Sequence, residues 1–300
     1  MNNQKGAFFA IVGRPNVGKS STLNMLLGQK LAIVSKKAQT TRTRIMGVLT
    51  ENEYQFVFID TPGLIKPKNS LGDYMVKAIN SSIAGVDACI LVVEADSKVS
   101  PADLEFIKRF KTMNLPAILV INKIDLVKDK EKLIEQIGNY STLYDFEAVV
   151  PISARNQDGS DLLKEELKKL SFENEHVFSE DTLTDQPERV IAGEIVREKI
   201  LRILDKEVPH SVAVVTERMK ERGEILDIDV TIYCEKASHK GIIIGKSGKT
   251  LKEISTKARI DMERFFDCKV NLQSWVKVKE DWRQRPNILG SMGYGNSDFT

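Results

Sequence analysis

Cysteine is scarce: three in 300 residues (Cys89, Cys234, Cys268), odd in number, far apart and never in Cys-x-x-Cys spacing. That excludes a disulfide framework and the common structural zinc sites, so a reducing cytoplasm is the expected compartment. Histidine is equally rare, and His176, His210 and His239 stand apart from any nucleophile or carboxylate array, so none is assigned catalysis. No apolar run approaches the ~20 residues of a membrane-spanning helix. The longer ones, such as Ala117–Ile121 and Cys89–Val93, read as buried strands. With 18 Gly and 9 Pro the chain is neither collagen-like nor of low complexity. Met1–Lys5 run straight into a strand candidate, so no leader segment is expected. What is left, 42% hydrophobic and 29% charged, is globular, and the length points to two domains.

Acid is missing where it matters most. Residues 1–50 hold eight Lys/Arg and no Asp or Glu; the first is Glu51. Residues 236–285 hold thirteen basic against six acidic residues, a net of +7, whereas 181–235 hold eight against thirteen, a net of −5. Two basic stretches in a chain of net charge +2 suggest two anionic partners, the alternative being two solvated faces.

From Ala7 to about Leu170, short Val/Ile-rich runs alternate with amphipathic ones. Strands are expected at Phe8–Val12, Gln55–Ile59, Ala88–Val93, Ala117–Ile121 and Ala148–Ile152. Helices are expected around Ser20–Leu27, Leu71–Ala84, Asp103–Met113, Lys132–Leu143 and Asp161–Leu170. This alternation implies an α/β domain with a mostly parallel sheet covered on both faces, binding its ligand beyond the carboxyl ends of the strands. Residues 173–186 are polar and acidic and read as a linker between a domain at 1–172 and a smaller α+β domain at 187–285. In the second, a helix near Glu188–Lys206 leads to a hairpin (Ser211–Glu217, Ile225–Cys234). An apolar segment Gly241–Ile244, a helix Leu251–Phe265 and a strand Val270–Val278 follow, and 286–300 read as a tail.

Chemistry-bearing residues sit where the strands end. Gly13, Arg14, Pro15, Asn16, Val17, Gly18, Lys19 and Ser20, followed by Ser21, satisfy G-x-x-x-x-G-K-S between a strand and a helix. The glycines let backbone N–H groups face phosphate oxygens, and the helix amino terminus adds its positive end. Lys19 is expected to neutralise β/γ-phosphate charge and the Ser20 hydroxyl to ligate Mg²⁺. Asp60, Thr61, Pro62 and Gly63 close the next strong strand, with Asp60 a second magnesium candidate. Asn122, Lys123, Ile124 and Asp125 end a further strand. A carboxylate there accepts both adjacent donors of guanine, which adenine lacks in that arrangement. Lys123 can lie along the base, Asn122 can tie this loop to the phosphate loop, and Ser153-Ala154 can offer an N–H to the guanine carbonyl.

These motifs in this order are similar to those of translation-factor-type GTPases. The resemblance places the switch within Gln39, Thr40, Thr41, Arg42 and Thr43, with Thr41 first and Thr40 second as the magnesium and γ-phosphate contact. Leu64 stands where Ras-like enzymes carry a water-orienting Gln, so other groups must place the water. Asn16 resembles the residue with which related GTPases coordinate potassium; otherwise it braces the loop.

Farther on, Ile244, Gly245, Lys246, Ser247, Gly248 and Lys249 resemble the G-x-x-G loop of a KH module. Its glycines admit a nucleic-acid backbone and its lysines meet phosphate, with Lys252, Lys257 and Arg259 extending the field and Ile242–Ile244 lining a groove for bases. A strand at Trp275–Lys279 more often packs its apolar face than binds. Together the two modules resemble the Era family of bacterial GTPases over about residues 7–285. That resemblance implies GTP/GDP and Mg²⁺, with K⁺ as an open addition. It further implies binding of the 3′ end of small-subunit ribosomal RNA through the KH domain, a role in small-subunit assembly and rRNA maturation, peripheral membrane association and a monomeric state. Two other function classes stay open: an RNA chaperone for which GTP is only a slow latch, and a metabolic phosphotransferase, disfavoured by Asp125. The Lys30–Arg44 stretch is the expected transmitter between nucleotide and RNA.

Overall fold

A computed structural model describes residues 4–64 and 67–295. The chain divides into two compact units, with the main break at Asp185/Gln186. Two short pieces of the first half, Ile33–Thr40 and Pro67–Tyr74, cluster with the second unit.

The first unit runs β1 (Lys5–Val12), α1 (Lys19–Leu27), β2 (Ile45–Glu51), β3 (Tyr54–Asp60), α2 (Ser70–Ala84), β4 (Ala88–Glu94), α3 (Pro101–Met113), β5 (Ala117–Asn122), α4 (Lys130–Ser141), β6 (Ala148–Pro151), α5 (Ser160–Lys169) and β7 (Phe172–Glu173). The strand order is β2-β3-β1-β4-β5-β6, with β7 against the start of β1. Only β2 and β7 run antiparallel to their neighbours. β1, β4 and β5 are buried on both faces, which is why they read as near-continuous Val/Ile/Ala runs rather than alternating ones. β1 lies between β3 and β4, so its carboxyl end opens at the point where the strand order reverses.

Two features escaped the sequence pattern. β2 is absent from the strands expected above; antiparallel pairing with β3 makes it one. Of residues 173–186, expected as linker, those up to Asp185 group with the first unit and are strapped to it. Asn174 N–H donates to Gln4 O (3.1 Å), Phe178 N–H to Gln55 Oε1 (3.0 Å), Val48 N–H to Leu183 O (2.8 Å) and Thr184 Oγ1 to Met46 O (2.5 Å).

The second unit runs α6 (Glu188–Ile203), β8 (Val212–Arg222), β9 (Ile225–Cys234), α7 (Ala237–Ile244), α8 (Lys249–Phe266), β10 (Lys269–Val278) and α9 (Pro286–Ser291). Its sheet has the order β10-β9-β8, with β10 parallel and β8 antiparallel to β9. Gly241–Ile244, expected as a separate apolar segment, is the last turn of α7. The segment from 286 onward, expected as a tail, folds up to Gly295. Leu289, Met292 and Tyr294 are buried, and Tyr294 stacks on Trp282 at 5.9 Å. The rest of that segment lies outside the described residues.

Candidate nucleotide and RNA sites

The first site grows out of the end of β1. Gly18 takes a left-handed conformation (φ 106°), and a Cβ there would lie 2.0 Å from Asn122 Nδ2, so only glycine fits. α1 begins at the next residue with no acid in its first turn, leaving its positive end to a ligand. Lys19 is 6% exposed and donates to Arg14 O at 2.9 Å. Burial lowers its pKa to about 8, against the pull of Asp60. Asn16 is exposed and also left-handed (φ 69°). Val17 is buried, and Ser21 is half-buried on α1.

Asp60, wholly buried at the end of β3, gathers the expected metal ligands. Ser20 Oγ donates to its Oδ2 at 2.6 Å, Thr41 Oγ1 reaches the same oxygen at 3.3 Å, and the two hydroxyls are 2.9 Å apart. Burial pushes the Asp60 carboxyl up to about 6, resisted by Lys19 and these hydroxyls. Its other oxygen, Oδ1, is buried with no hydrogen-bond partner among the described residues. An unpaired buried acceptor of this kind is costly, and a hard cation at this oxygen-lined point would satisfy it. The residues therefore fit Mg²⁺. Thr61 Oγ1 donates to Ile11 O (2.9 Å), fixing β3 to β1 before Pro62 and Gly63. Leu64 is half-buried against the first unit's hydrophobic core.

The adjacent threonines separate cleanly. Thr41 joins Ser20 and Asp60, whereas Thr40 Oγ1 donates to Lys37 O and lies 2.7 Å from Ser35 Oγ, away from that cluster. Of the remaining expected switch residues, Gln39 is left-handed (φ 59°), Arg42 is buried and Thr43 is half-buried. Ile33–Thr40 is held instead by α6 within the second unit. Glu198 Oε1 accepts from Val34 N–H (3.0 Å), Arg202 donates to Val34 O (3.0 Å from Nη2), Lys37 bonds Leu204 O, and Arg197 Nη2 donates to Thr40 O.

Base-recognition residues converge through Asn122. Its Nδ2 donates to Val17 O at 2.9 Å, and its Oδ1 accepts from Lys123 N–H (2.7 Å) and Ala154 N–H (3.1 Å). One amide thus ties three loops together. The Ala154 N–H, expected for the guanine carbonyl, is taken by this acceptor. Ser153 Oγ donates to Asp125 Oδ1 at 2.7 Å, steadying the carboxylate. A cavity of about 300 Å³ is lined by Ile124, Asp125, Val127, Leu133, Ser153, Asn156 and Asp158. Asn156, Asp158 and Glu94, which ion-pairs with Lys123, were not foreseen. No motif marks them, because they arrive from strand ends and loops whose pairing the sequence does not display.

In the second unit α7 ends at Ile244. Gly245 turns at φ 74°, where a Cβ would lie 2.1 Å from Thr250 Oγ1, and Ser247 (φ 51°) and Gly248 (φ 76°) complete the loop before α8. Lys246, Lys249, Lys252 and Lys257 are all exposed along the loop and α8. Two basic residues are less free than expected: Lys257 pairs with Glu253 (2.6 Å) and Arg259 with Glu263 (2.7 Å). The isoleucine groove is also narrower than expected. Ile243 is fully buried in the core, while Ile242 is 49% exposed and Ile244 half-buried, as helical rather than extended spacing requires. Trp275 on β10 is 44% exposed.

A family model described as 50S ribosome-binding GTPase matches residues 8–123, and one described as KH domain matches residues 207–283. GTPase Era of Ruminiclostridium cellulolyticum is 50% identical over 291 residues, spanning 97% of each chain. GTPase Era of Clostridium acetobutylicum is 47% identical over 290 residues, spanning 97% of this chain and 98% of its own. Among solved structures, a variant of Aquifex aeolicus Era bound to GDP·AlF4⁻ matches with a TM-score of 0.94 at 40% identity, over 97% of this chain and 100% of its own. Era in complex with MgGDPNP and nucleotides 1506–1542 of 16S ribosomal RNA matches with a TM-score of 0.94 at 40% identity, over 97% of this chain and 99% of its own.

Proposed function

The chain belongs to the GTPase Era family, and on that premise we propose that it hydrolyses GTP with Mg²⁺ and binds the 3′ end of small-subunit ribosomal RNA through its KH unit, acting in small-subunit assembly and rRNA maturation. The observation that carries the hydrolytic reading is Asp60: one oxygen collects Ser20 and Thr41, and the other is buried and unpaired. Ser20, Thr41 and Asp60 would hold the metal, whose charge offsets that developing on the β/γ-phosphate oxygens. Lys19 leaves the Arg14 carbonyl for those same oxygens. Asp125, steadied by Ser153, reads the guanine edge, and Lys123 covers the base.

Hydrolysis is slow in this account, because Leu64 is an aliphatic side chain set against the core and cannot orient water. Asn16 binds K⁺ near the phosphates as a supplementary charge, a role its exposed left-handed position leaves open to solvent ions. In the RNA site Lys246, Lys249 and Lys252 hold backbone phosphates, and Ile242 and Ile244 meet bases. Cytoplasmic location, a monomeric state and peripheral membrane contact come with the family and remain part of the proposal. Among the described residues no helix is long and apolar enough to cross a membrane.

Multiple-turnover phosphate release, with and without Mg²⁺ and in K⁺ against Na⁺ at matched ionic strength, tests the reading. Release that requires Mg²⁺ and runs faster in K⁺ supports it. Release without metal would overturn the Asp60 assignment, and equal rates in the two salts would leave Asn16 with a bracing role only.

A further inference from the structure

Asp103 is a buried carboxylate for which neither the nucleotide motifs nor the fold alone accounts. It is the third residue of α3 and completes a capping box. Ser100 Oγ accepts from Asp103 N–H at 3.2 Å, and Asp103 Oδ2 accepts from Ser100 N–H at 2.9 Å. Such a cap needs one carboxylate oxygen and ordinarily lies at the surface. Here the side chain has no exposed area, and Oδ2 also takes the Tyr140 hydroxyl at 2.9 Å. The remaining oxygen, Oδ1, faces Arg14 Nε at 3.3 Å. Neither of those two atoms has an aligned hydrogen bond among the described residues, so the contact is one of charge. The same guanidinium donates from Nη2 to Ser97 Oγ at 2.7 Å, and Ser97 Oγ donates to Glu94 O at 2.9 Å.

Arg14 is the second residue of the phosphate loop, and its own carbonyl accepts the Lys19 ammonium at 2.9 Å. Its side chain is therefore drawn toward α3 while its carbonyl is turned toward the lysine that meets phosphate. We propose that Asp103 is a positioning residue for the phosphate grip: with Ser97 it anchors the Arg14 side chain, and the anchored backbone of Arg14 places Lys19. A buried carboxylate facing a cation is costly to keep and is expected where it fixes one conformation among several. The loop between β4 and α3 thereby becomes part of the nucleotide site without touching the nucleotide. This inference rests on the reading of that site as a guanine-nucleotide site.

The test is a double-mutant cycle read by GDP dissociation from full-length protein in Mg²⁺. Asp103→Asn keeps the size of the side chain and an acceptor for Ser100 and Tyr140 but removes the charge facing Arg14. Arg14→Met removes the anchored group. Asp103→Asn is expected to speed GDP dissociation about tenfold in the wild-type background and less than about twofold in the Arg14→Met background, since residues acting as one unit are not additive. The preference for guanosine over xanthosine nucleotides should not change, because Asp125 is untouched. Equal effects of Asp103→Asn in both backgrounds, or a fall in melting temperature with no change in dissociation, would overturn the inference and leave Asp103 a cap. Should Asp103→Asn fail to fold, Ser97→Ala removes the other Arg14 anchor and is expected to speed dissociation about threefold, again only where Arg14 is present. An unchanged rate in Ser97→Ala would also overturn it. A wild-type protein that binds no guanine nucleotide would instead defeat the underlying reading.

Discussion

α1 and α8 begin in the same way. Each is preceded by a left-handed glycine (Gly18, φ 106°; Gly248, φ 76°), each has lysine as its first residue (Lys19, Lys249), and neither has an acid in its first turn or a side-chain cap. Both amino termini are thus open to an anion. The surroundings differ. Lys19 is 6% exposed and hydrogen-bonded to Arg14, close to a buried Asp60, whereas Lys249 stands in solvent with Lys246 and Lys252 nearby. A buried lysine has lost its water and needs a complete set of partners, so it suits one ligand in one geometry. An exposed lysine keeps its water and acts through charge, so it suits a polyanion bound at many points. On the proposed function, the same local device would serve recognition in one place and adhesion in the other.

Substitution at the buried lysine should have the largest effect. Lys19→Ala is expected to weaken GDP and GTP binding at least 100-fold, about 2.7 kcal/mol, in equilibrium titration. It should leave RNA binding by residues 186–300 in the intact chain within about twofold when no nucleotide is present. A modest, tenfold loss of nucleotide would place Lys19 with the exposed class and break the comparison.

Next comes base selection. Asp125→Asn exchanges an acceptor pair for an acceptor and a donor, so preference should move from guanosine to xanthosine nucleotides, whose 2-oxo group accepts the new N–H. Competition binding of the two diphosphates measures it, and retained guanine preference would remove Asp125 from the base site.

The exposed loop should respond less, and in a different way. Changing Lys246 and Lys249 together to Glu is expected to weaken binding of single-stranded 16S 3′-end RNA about tenfold or more, with GTP affinity unchanged. The plot of log affinity against log salt should become shallower by about 1.4, because two fewer phosphates are neutralised on a single strand. An unchanged slope would mean that these lysines do not meet phosphate.

The same contrast explains what the sequence made legible. The phosphate loop, Asp60 and Asn122–Asp125 could be read because each sits at the end of an apolar strand, where spacing and residue type are dictated together by burial and by the ligand. The family resemblance ranked Thr41 above Thr40, but residue type did not separate them, since both are polar residues in one basic loop; in the structure only Thr41 faces Asp60. Asp103, Glu94 and Arg197 were invisible for a related reason: a polar contact between elements leaves no periodic trace, and a charged side chain reads as surface until its partner is known. Ser100 and Asp103 carry a capping-box spacing that could have located the start of α3, but nothing in that spacing points to Arg14. Ile243 was read as part of a groove because a run of three isoleucines gives no phase; only the helix fixes which one is buried.

Thr40 and Thr41 also mark where the account is most exposed to test. The Thr40 carbonyl accepts from Arg197 on α6, and one residue later the Thr41 hydroxyl joins Ser20 and Asp60. If this segment carries the state of the metal site to the RNA-binding unit, linkage must run equally in both directions. The direct measurement is the affinity of the full-length protein for single-stranded 16S 3′-end RNA in saturating GDP and in a saturating non-hydrolysable GTP analogue, with Mg²⁺ and one fixed salt concentration. The account predicts affinities that differ by at least about fivefold, mirrored by an equal shift in the relative affinities of the two nucleotides when RNA is added. Identical RNA affinities in the two nucleotide states would contradict it.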